Sequence, residues 1–176
     1  MNYVILWKEF KSIGANPSIA NPFYLKGGKY ITIGANFDCD QRLRLDAYDY
    51  FLGERFSPCI EIGDNVSIQK DCHIGAINKI SIGNNVLLAS KVFISDHSHG
   101  DISKDAIQLA PSRRKLYSKG TVIIEDNVWI GANASILAGV VIGKGAIIGA
   151  NSVVTRDIPD FAIAFGNPAR VIRYRA

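Results

Sequence analysis

Two of the chain's three histidines, His97 and His99, stand close together in the stretch FISDHSHGDI, with Asp96 directly before them. A histidine ring can take a proton from an alcohol and return it to a leaving group near neutral pH. A neighbouring carboxylate can orient such a ring and stabilise its protonated form, although Asp96 could equally cap a turn. These residues predict acid–base catalysis. The alternative is a pair of surface histidines in a loop.

Composition limits the kinds of protein in which this chemistry could occur. The 176 residues are 48% hydrophobic and 20% charged, which predicts a single globular domain, 1–176. The net charge of +4 comes without a dense Lys/Arg run, so no nucleic-acid partner is expected. The three cysteines show no CxxC spacing, and no apolar run approaches the roughly 20 residues that span a bilayer. We therefore expect a cytoplasmic protein that does not insert into membranes.

A repeat of six residues predicts the fold. The segments ITIGAN, IEIGDN, ISIGNN and VIIEDN nearly copy one another, and VVIGKG follows eighteen residues after the last of them. The fifth position of each six-residue unit is usually Val, Ala, Cys or Ser, small enough to share an interior. Every sixth position is aliphatic: Ile62, Ile68, Ile74; Ile82, Leu88, Ile94; Ile124, Ile130, Ile136, Ile142, Ile148 and Val154.

A period of six matches neither the 3.6 residues of an α-helix turn nor strand alternation. It predicts a parallel coil with three short strands per eighteen-residue turn and one aliphatic side chain pointing inward from each strand. We place this coil at about 13–158, interrupted by excursions at 38–57 and 100–120 and followed by a tail, 159–176. Irregular excursions from a regular solenoid usually have a function, and tolerated surface insertions are the alternative.

The longest repeat stretch resembles a known enzyme family. The segment DNVWIGANASILAGVVIGKGAIIGANSVVTRDIPDFAIAFGNPARVIR is similar to the C-terminal half of maltose and galactoside O-acetyltransferases. The earlier pieces NPFYLKGGKYITIG and RFSPCIEIGDNVSIQKDCHIG resemble, more loosely, sugar O-acetyltransferases of bacterial surface-polysaccharide synthesis. The resemblance to these hexapeptide-repeat acyltransferases implies an all-β, left-handed parallel β-helix. It also implies a homotrimer with active sites between subunits, acetyl-CoA as acyl donor and no required metal.

The resemblance also implies roles for individual residues. In the maltose and galactoside relatives the catalytic histidine stands five residues after the equivalent of Ile94, which corresponds to His99. His97 is then the extra histidine of a DHxH variant. We favour His99 as the base and keep His97 as the close alternative, because the sequence alone does not separate the two. The backbone N–H near Ala132 is the implied oxyanion donor. The residues implied to bind acetyl-CoA are Trp129, Gly131, Ala132, Gly149, Ala150, Thr155, Arg156, Arg170 and Arg173.

The acceptor is less well determined. We expect the 100–120 excursion to form one wall of the acceptor pocket, and Tyr48, Tyr50 and Arg55 offer groups that suit a sugar or that pack against a neighbour. The predicted reaction is direct transfer of acetyl to a hydroxyl of a sugar or polysaccharide precursor. N-acetylation of an amino or nucleotide sugar is the alternative. His73 is expected to be an interface or surface histidine.

Four other classes of β-helix protein are less compatible with the sequence. The γ-class carbonic anhydrases bind zinc through three histidines, but two of those are expected five residues apart, unlike His97 and His99. Ice-binding surfaces need arrays of outward Thr, and only Thr32, Thr121 and Thr155 follow Gly28. A non-catalytic scaffold needs no histidine pair. Long-chain acyltransferases have a helical C-terminal domain, whereas only a short tail follows Ile158 here.

Overall fold

The computed structural model describes residues 8–100 and 104–175, whose strands form three sheets that wind around one core. The first sheet has six strands, and the second has eight. The first contains β1 (Ser12–Ile13), β4 (Ile31–Ile33), β9 (Cys59–Ile62), β12 (Lys79–Ile82), β15 (Val122–Ile124) and β18 (Val141–Ile142), in this order. The second contains β2 (Ser18–Ile19), β5 (Asp38–Cys39), β10 (Ser67–Ile68), β13 (Leu87–Leu88), β16 (Trp129–Ile130), β19 (Ile147–Ile148), β21 (Ala162–Gly166) and β22 (Ala169–Tyr174).

The third sheet forms the remaining face of the coil. It contains β3 (Tyr24–Lys26), β6 (Arg44–Ala47), β11 (His73–Ala76), β14 (Phe93–Ser95), β17 (Ser135–Ile136) and β20 (Val153–Val154), adjacent in that order. A separate hairpin pairs β7 (Tyr50–Phe51) with β8 (Glu54–Arg55). One short helix, α1 (Lys104–Ile107), and 3-10 turns at Gly28–Tyr30 and Pro111–Arg113 complete the described structure.

The left-handed parallel β-helix expected from the six-residue repeat is confirmed. Each turn of the coil gives one strand to each sheet, and each strand pairs in parallel with the strand one turn away. All twelve of the predicted inward aliphatic positions are at most 3% exposed. Residues at the fifth position, such as Val66, Cys72 and Ala134, are buried beside them. The interior is therefore a continuous aliphatic column.

The first predicted excursion, 38–57, begins too early. Both β5 and β6 belong to the coil, because Cys39 and Leu45 continue the inward series from Ile33 at intervals of six. The repeat is not evident here from the sequence, because a cysteine stands at an inward position where other units have Ile, Leu or Val. Only residues after Ala47 leave the coil, as the β7–β8 hairpin, and they return at β9.

The second excursion and the tail have more structure than the sequence indicated. Ser98 and Tyr117 exchange backbone hydrogen bonds of 3.0 and 2.9 Å, which close the base of the excursion around α1. The part at 101–103 lies outside the described residues. The predicted tail, 159–176, is not a simple tail. β21 pairs with β19 as a further strand of the coil, and β22 folds back antiparallel on β21. Ala162 and Ala164 are buried because they extend the interior column past residue 158.

A ladder of asparagines fixes one corner of the coil. Asn16, Asn36, Asn65 and Asn85 have φ values of 53–56°, in the left-handed region. Their amides are joined in series by hydrogen bonds of 3.2, 2.9 and 3.1 Å. Apart from glycine, asparagine adopts this backbone conformation most readily, and its amide both donates and accepts.

We predict that Asn65→Ala destabilises the protein more than Asn65→Gly. Alanine loses the two amide hydrogen bonds and keeps a backbone conformation that costs about 1–2 kcal/mol for most L-residues, whereas glycine loses only the hydrogen bonds. Urea unfolding of the two variants and the wild type measures the difference. A glycine variant less stable than the alanine variant would contradict this account of the corner.

Candidate active site

All three histidines line one cleft on the outer face of the third sheet. Its volume is about 660 Å³, and its walls come from β11, β14, residues 97–100 and the far side of the second excursion. Tyr117 and Lys119 contribute from that excursion, and Thr155 contributes from the last turns. The excursion therefore forms one wall of the cleft that contains the histidines.

Asp96 anchors the segment that contains His97 and His99. Its carboxylate is fully buried and accepts hydrogen bonds from the backbone N–H groups of Ile77 (2.9 Å) and Asn78 (2.8 Å). The same carboxylate lies 2.9 Å from Nδ1 of His97. Asp96 thus performs both of the roles that the sequence left open, because it caps the preceding turn and orients a histidine.

The His97 ring is held in one orientation. Its side chain is 13% exposed, and its Nδ1 faces the Asp96 carboxylate, with Ser95 Oγ at 3.3 Å. The Ser95 hydroxyl donates to the His97 carbonyl at 2.8 Å, and the Tyr48 ring packs edge-on against the imidazole. An ionised carboxylate accepts only, so the hydrogen-bond network assigns the neutral ring's proton to Nδ1. Nε2 is then an unprotonated acceptor, as a general base requires.

His99 lines the same cleft in a different environment. It is exposed, and its ring packs edge-on against Phe51 of the first excursion at 5.3 Å. Within residues 8–100 and 104–175 no carboxylate makes a hydrogen bond to the His99 ring.

A second histidine–carboxylate pair, Asp46 on β6 and His73 on β11, was missed by the sequence analysis. Asp46 is 3% exposed, and its Oδ2 accepts from Nε2 of His73 (3.1 Å), the hydroxyl of Tyr48 (2.8 Å) and the Arg44 guanidinium. Burial acts to raise the pKa of Asp46, but these three hydrogen bonds outweigh it and hold the pKa below its usual value. His73 is therefore part of the cleft rather than an isolated surface histidine. Recognising Leu45 as an inward residue would have placed Asp46 beside it.

The cysteines are poor candidates for a nucleophile. Cys39 and Cys72 are buried, and burial raises the pKa of their thiols to about 12 and about 11. Burial and the nearby Glu61 raise the pKa of Cys59 as well. Thiols with such pKa values are almost entirely protonated at neutral pH, and the thiolate is the reactive form.

The residues implied to bind acetyl-CoA lie in separate places within one chain, and most of them follow strands at two different corners of the coil. Thr155 and Arg156 follow β20, at the corner that borders the cleft. Trp129 is half exposed on β16, and the tail residues Arg170 and Arg173 are exposed on β22. Four small residues follow β16 and β19, at the corner between the second and third sheets: Gly131, Ala132, Gly149 and Ala150. The structure therefore does not bring this set into a single site within one chain.

No group of three or more His, Cys, Asp or Glu side chains is arranged to hold a metal ion in the part of the chain that the structure describes. In the same part, no helix has the length and apolar character needed to cross a bilayer.

Removing the Asp96 carboxylate should destabilise the protein. Asp96→Ala leaves the N–H groups of Ile77 and Asn78 without their acceptor, at about 1–3 kcal/mol for each buried group. Asp157→Ala is the matched control, since Asp157 also accepts a backbone hydrogen bond (from Val141, 2.8 Å) but in an exposed position. Denaturant unfolding should show a clearly larger loss for Asp96→Ala. Equal losses would contradict the anchoring role.

Sequence comparisons identify the family. The family described as "Bacterial transferase hexapeptide (six repeats)" matches residues 121–156. The putative lipopolysaccharide biosynthesis O-acetyl transferase WbbJ of Escherichia coli K12 is 37% identical over 86% of this chain and 76% of that protein. The galactoside O-acetyltransferase of Lactococcus lactis is 34% identical over 96% of this chain, which spans 65% of that relative.

Solved structures agree with the sequence comparisons. A mutant of AntD, an N-acyltransferase from Bacillus cereus in complex with dTDP-4-amino-4,6-dideoxyglucose and coenzyme A, has a TM-score of 0.82 at 25% identity, covering 100% of this chain and 90% of that one. A maltose O-acetyltransferase from Clostridium difficile 630 has a TM-score of 0.67 at 30% identity, covering 98% and 74%. Together with the repeat, the fold and the histidine cleft, these matches show that the chain belongs to the hexapeptide-repeat acyltransferases.

Proposed function

We propose that this protein transfers acetyl from acetyl-CoA to a hydroxyl of a sugar or saccharide precursor, with His97 as the general base. The observation that supports this most directly is the geometry of His97. Its ring lies in a cleft of about 660 Å³, and Nδ1 is held by a fully buried carboxylate. The sugar O-acetyltransferase names of the similar proteins support the reaction type.

The spacing of the family motif favoured His99 as the base, but the hydrogen bonds and burial of the site favour His97. A base needs a fixed ring, a defined tautomer and a partner that stabilises the imidazolium once it forms. Asp96 supplies all three to His97. His99 is exposed, so we assign it a role in shaping the mouth of the cleft together with Phe51.

The reaction needs one transfer step and no further reagent. The acceptor hydroxyl attacks the thioester carbonyl while its proton passes to Nε2 of His97. Collapse of the tetrahedral intermediate forms the ester and breaks the carbon–sulfur bond, and the imidazolium returns the proton to the departing thiolate. The charge on Asp96 stabilises the imidazolium between these events. The backbone N–H near Ala132 remains the candidate donor to the oxyanion.

The division of the coenzyme residues between two corners supports an assembly with sites between subunits. The corner with Gly131, Ala132, Gly149 and Ala150 has small side chains, so an extended pantetheine arm can approach its backbone. The cleft corner presents the histidines together with Thr155 and Arg156. Two copies that face each other through these different corners would complete one site, as in a homotrimer. Arg156, Arg170 and Arg173 are exposed and available to pair with the coenzyme's phosphates.

N-acetylation of an amino sugar is the second candidate. It is favoured by the fold similarity to AntD and by a segment that is 56% identical over 57 residues to dTDP-3-amino-3,6-dideoxy-alpha-D-galactopyranose 3-N-acetyltransferase of Aneurinibacillus thermoaerophilus. That segment covers only 32% of this chain, whereas the O-acetyltransferase relatives align over most of it.

Histidine variants test the proposed base. We expect wild type, His97→Ala and His99→Ala to bind acetyl-CoA alike in calorimetry. With a panel of sugars, CoA release by His97→Ala should fall by about 10²–10⁴, the usual contribution of a general base, and His99→Ala should lose much less. A larger loss for His99→Ala would transfer the assignment to His99. Failure of the wild type to bind acetyl-CoA would overturn the proposed function.

Direct transfer predicts that no acetylated protein accumulates. Incubation with acetyl-CoA and no acceptor should leave the intact mass unchanged, because two thiols are buried and the third has a raised pKa. Intact-mass spectrometry measures this. A stoichiometric gain of one acetyl group, lost again on addition of a sugar, would indicate a covalent intermediate instead.

A further inference from the structure

A second cavity, of about 490 Å³, lies beside the histidine cleft and has no part in the transfer step described above. Its walls come from residues 23–25 at β3 and from Arg44 and Asp46 of β6, the two strands that end the third sheet. Asp46 makes hydrogen bonds to His73 and Tyr48, and both of these line the histidine cleft. The two cavities are therefore neighbours along the third sheet, with the hydrogen bonds of Asp46 between them.

The walls of these two cavities are electropositive. Asp46 is the one carboxylate among the described residues that line them, and it is almost fully buried. Its charge already accepts hydrogen bonds from Arg44, Tyr48 and His73. Arg44 and Lys119 bring positive charges that are exposed. An anion that enters the cavities therefore meets cations and no exposed carboxylate.

Lys26 adds a further cation at the boundary between the cavities. The side chain is exposed, and its Nζ lies 4.3 Å from the centre of the Tyr48 ring. Lys26 makes no ion pair within the described part of the chain, whereas Lys29 and Arg42, which are near in sequence to the residues of this cavity, are each paired with an aspartate. The charge of Lys26 is therefore available to a ligand.

Arg44 has unused hydrogen-bond donors. A guanidinium has five N–H groups, and here Nε donates to Asp46 and Nη2 donates to the Tyr48 hydroxyl at 3.2 Å. The side chain is 51% exposed, so the remaining N–H groups can reach a ligand in the second cavity. A guanidinium beside an ammonium group suits the oxygens of a phosphate or a carboxylate.

Tyr48 sets the distance between this charge and the proposed base. The centre of the His97 ring lies 5.8 Å from the centre of the Tyr48 ring, so the His97 ring and Nζ of Lys26 are at most about 10 Å apart. Tyr24, which is half exposed, faces Arg44 in the register of β3 and β6 and gives the second cavity an aromatic wall. A sugar with a hydroxyl at His97 can therefore bring an anionic group on the same or the next unit to Lys26.

We propose that the acceptor is an anionic saccharide whose phosphate or carboxylate group binds Lys26 and Arg44 beside Tyr24 while its hydroxyl lies at His97. This inference rests on the proposed acetyl transfer and names the substrate class of that same site.

The test compares three acceptors. The neutral one is the methyl glycoside of a sugar that the wild type acetylates. The anionic ones are the 1-phosphate of the same sugar and a disaccharide that joins it to a uronic acid. At low ionic strength, kcat/KM should be about fivefold higher for an anionic acceptor, mainly through a lower KM, as expected for one partly exposed charge pair. Added salt should reduce the difference, and the acceptor with the larger gain shows whether phosphate or carboxylate is bound.

Substitutions of Lys26 show whether its charge causes the preference. Lys26→Met keeps an unbranched apolar side chain but removes the charge, so the ratio of anionic to neutral kcat/KM should fall about fivefold, and Lys26→Glu should favour the neutral acceptor. Lys26→Arg keeps the charge and should keep most of the ratio. A merely structural role would lower kcat/KM for all three acceptors together. Lys70→Met is the matched control, because Lys70 is exposed but lines neither cavity, and its ratio should equal that of the wild type.

The outcomes separate this inference from the proposed function. A wild type that acetylates the neutral glycoside and prefers neither anionic acceptor, or a preference that is unchanged in Lys26→Glu, overturns the anion site and leaves the proposed function intact. A wild type that binds acetyl-CoA but acetylates a hydroxyl of none of the acceptors overturns both.

Discussion

Burial of one aliphatic side chain every six residues is the constraint on which the rest of this structure depends. Each such side chain contributes about 1.5–3 kcal/mol when it is fully removed from water, and parallel pairing locks each strand to its neighbours one turn away. Residues on either side of an inward position must then point outward. The inward residues Leu45, Ile74 and Ile94 therefore align the outward residues of β6, β11 and β14 into rows across the third sheet. One row contains Asp46, Gly75 and Ser95, and Asp96 and His97 follow Ser95 in the chain.

On this frame, two histidine–aspartate pairs acquire different chemistry from a difference in geometry. Asp96 is anchored by backbone N–H groups and binds Nδ1 of a histidine next to it in sequence, so the far nitrogen is left for a proton. Asp46 is held by side chains and binds Nε2 of a histidine on the next turn, so that ring remains a donor.

The excursions from the coil complete the cleft rather than the core. The second excursion returns past Ser98 through Tyr117 and gives the cleft a wall that the regular coil lacks. The first excursion places Phe51 against His99 and begins with Tyr48, whose hydroxyl and ring contact the two histidine–aspartate pairs. The small residues at another corner of the coil stand apart from this cleft, and in the proposed assembly a second copy of the chain would bring the coenzyme to the histidines.

The six-residue repeat alone predicts the coil, most of its inward residues and the segment that contains the proposed base, because it is a local pattern that burial enforces at every turn. The interruption of that repeat also locates the second excursion, which lines the histidine cleft. The sequence favoured His99 over His97 from the spacing of the family motif, since the burial of Asp96 against Ile77 and Asn78 one turn away is not visible in it. It also placed Asp46 in a loop, because Cys39 interrupts the aliphatic series. The partnership of Asp46 with His73 arises from a contact between residues far apart in the chain, and only the stacking of turns brings them together.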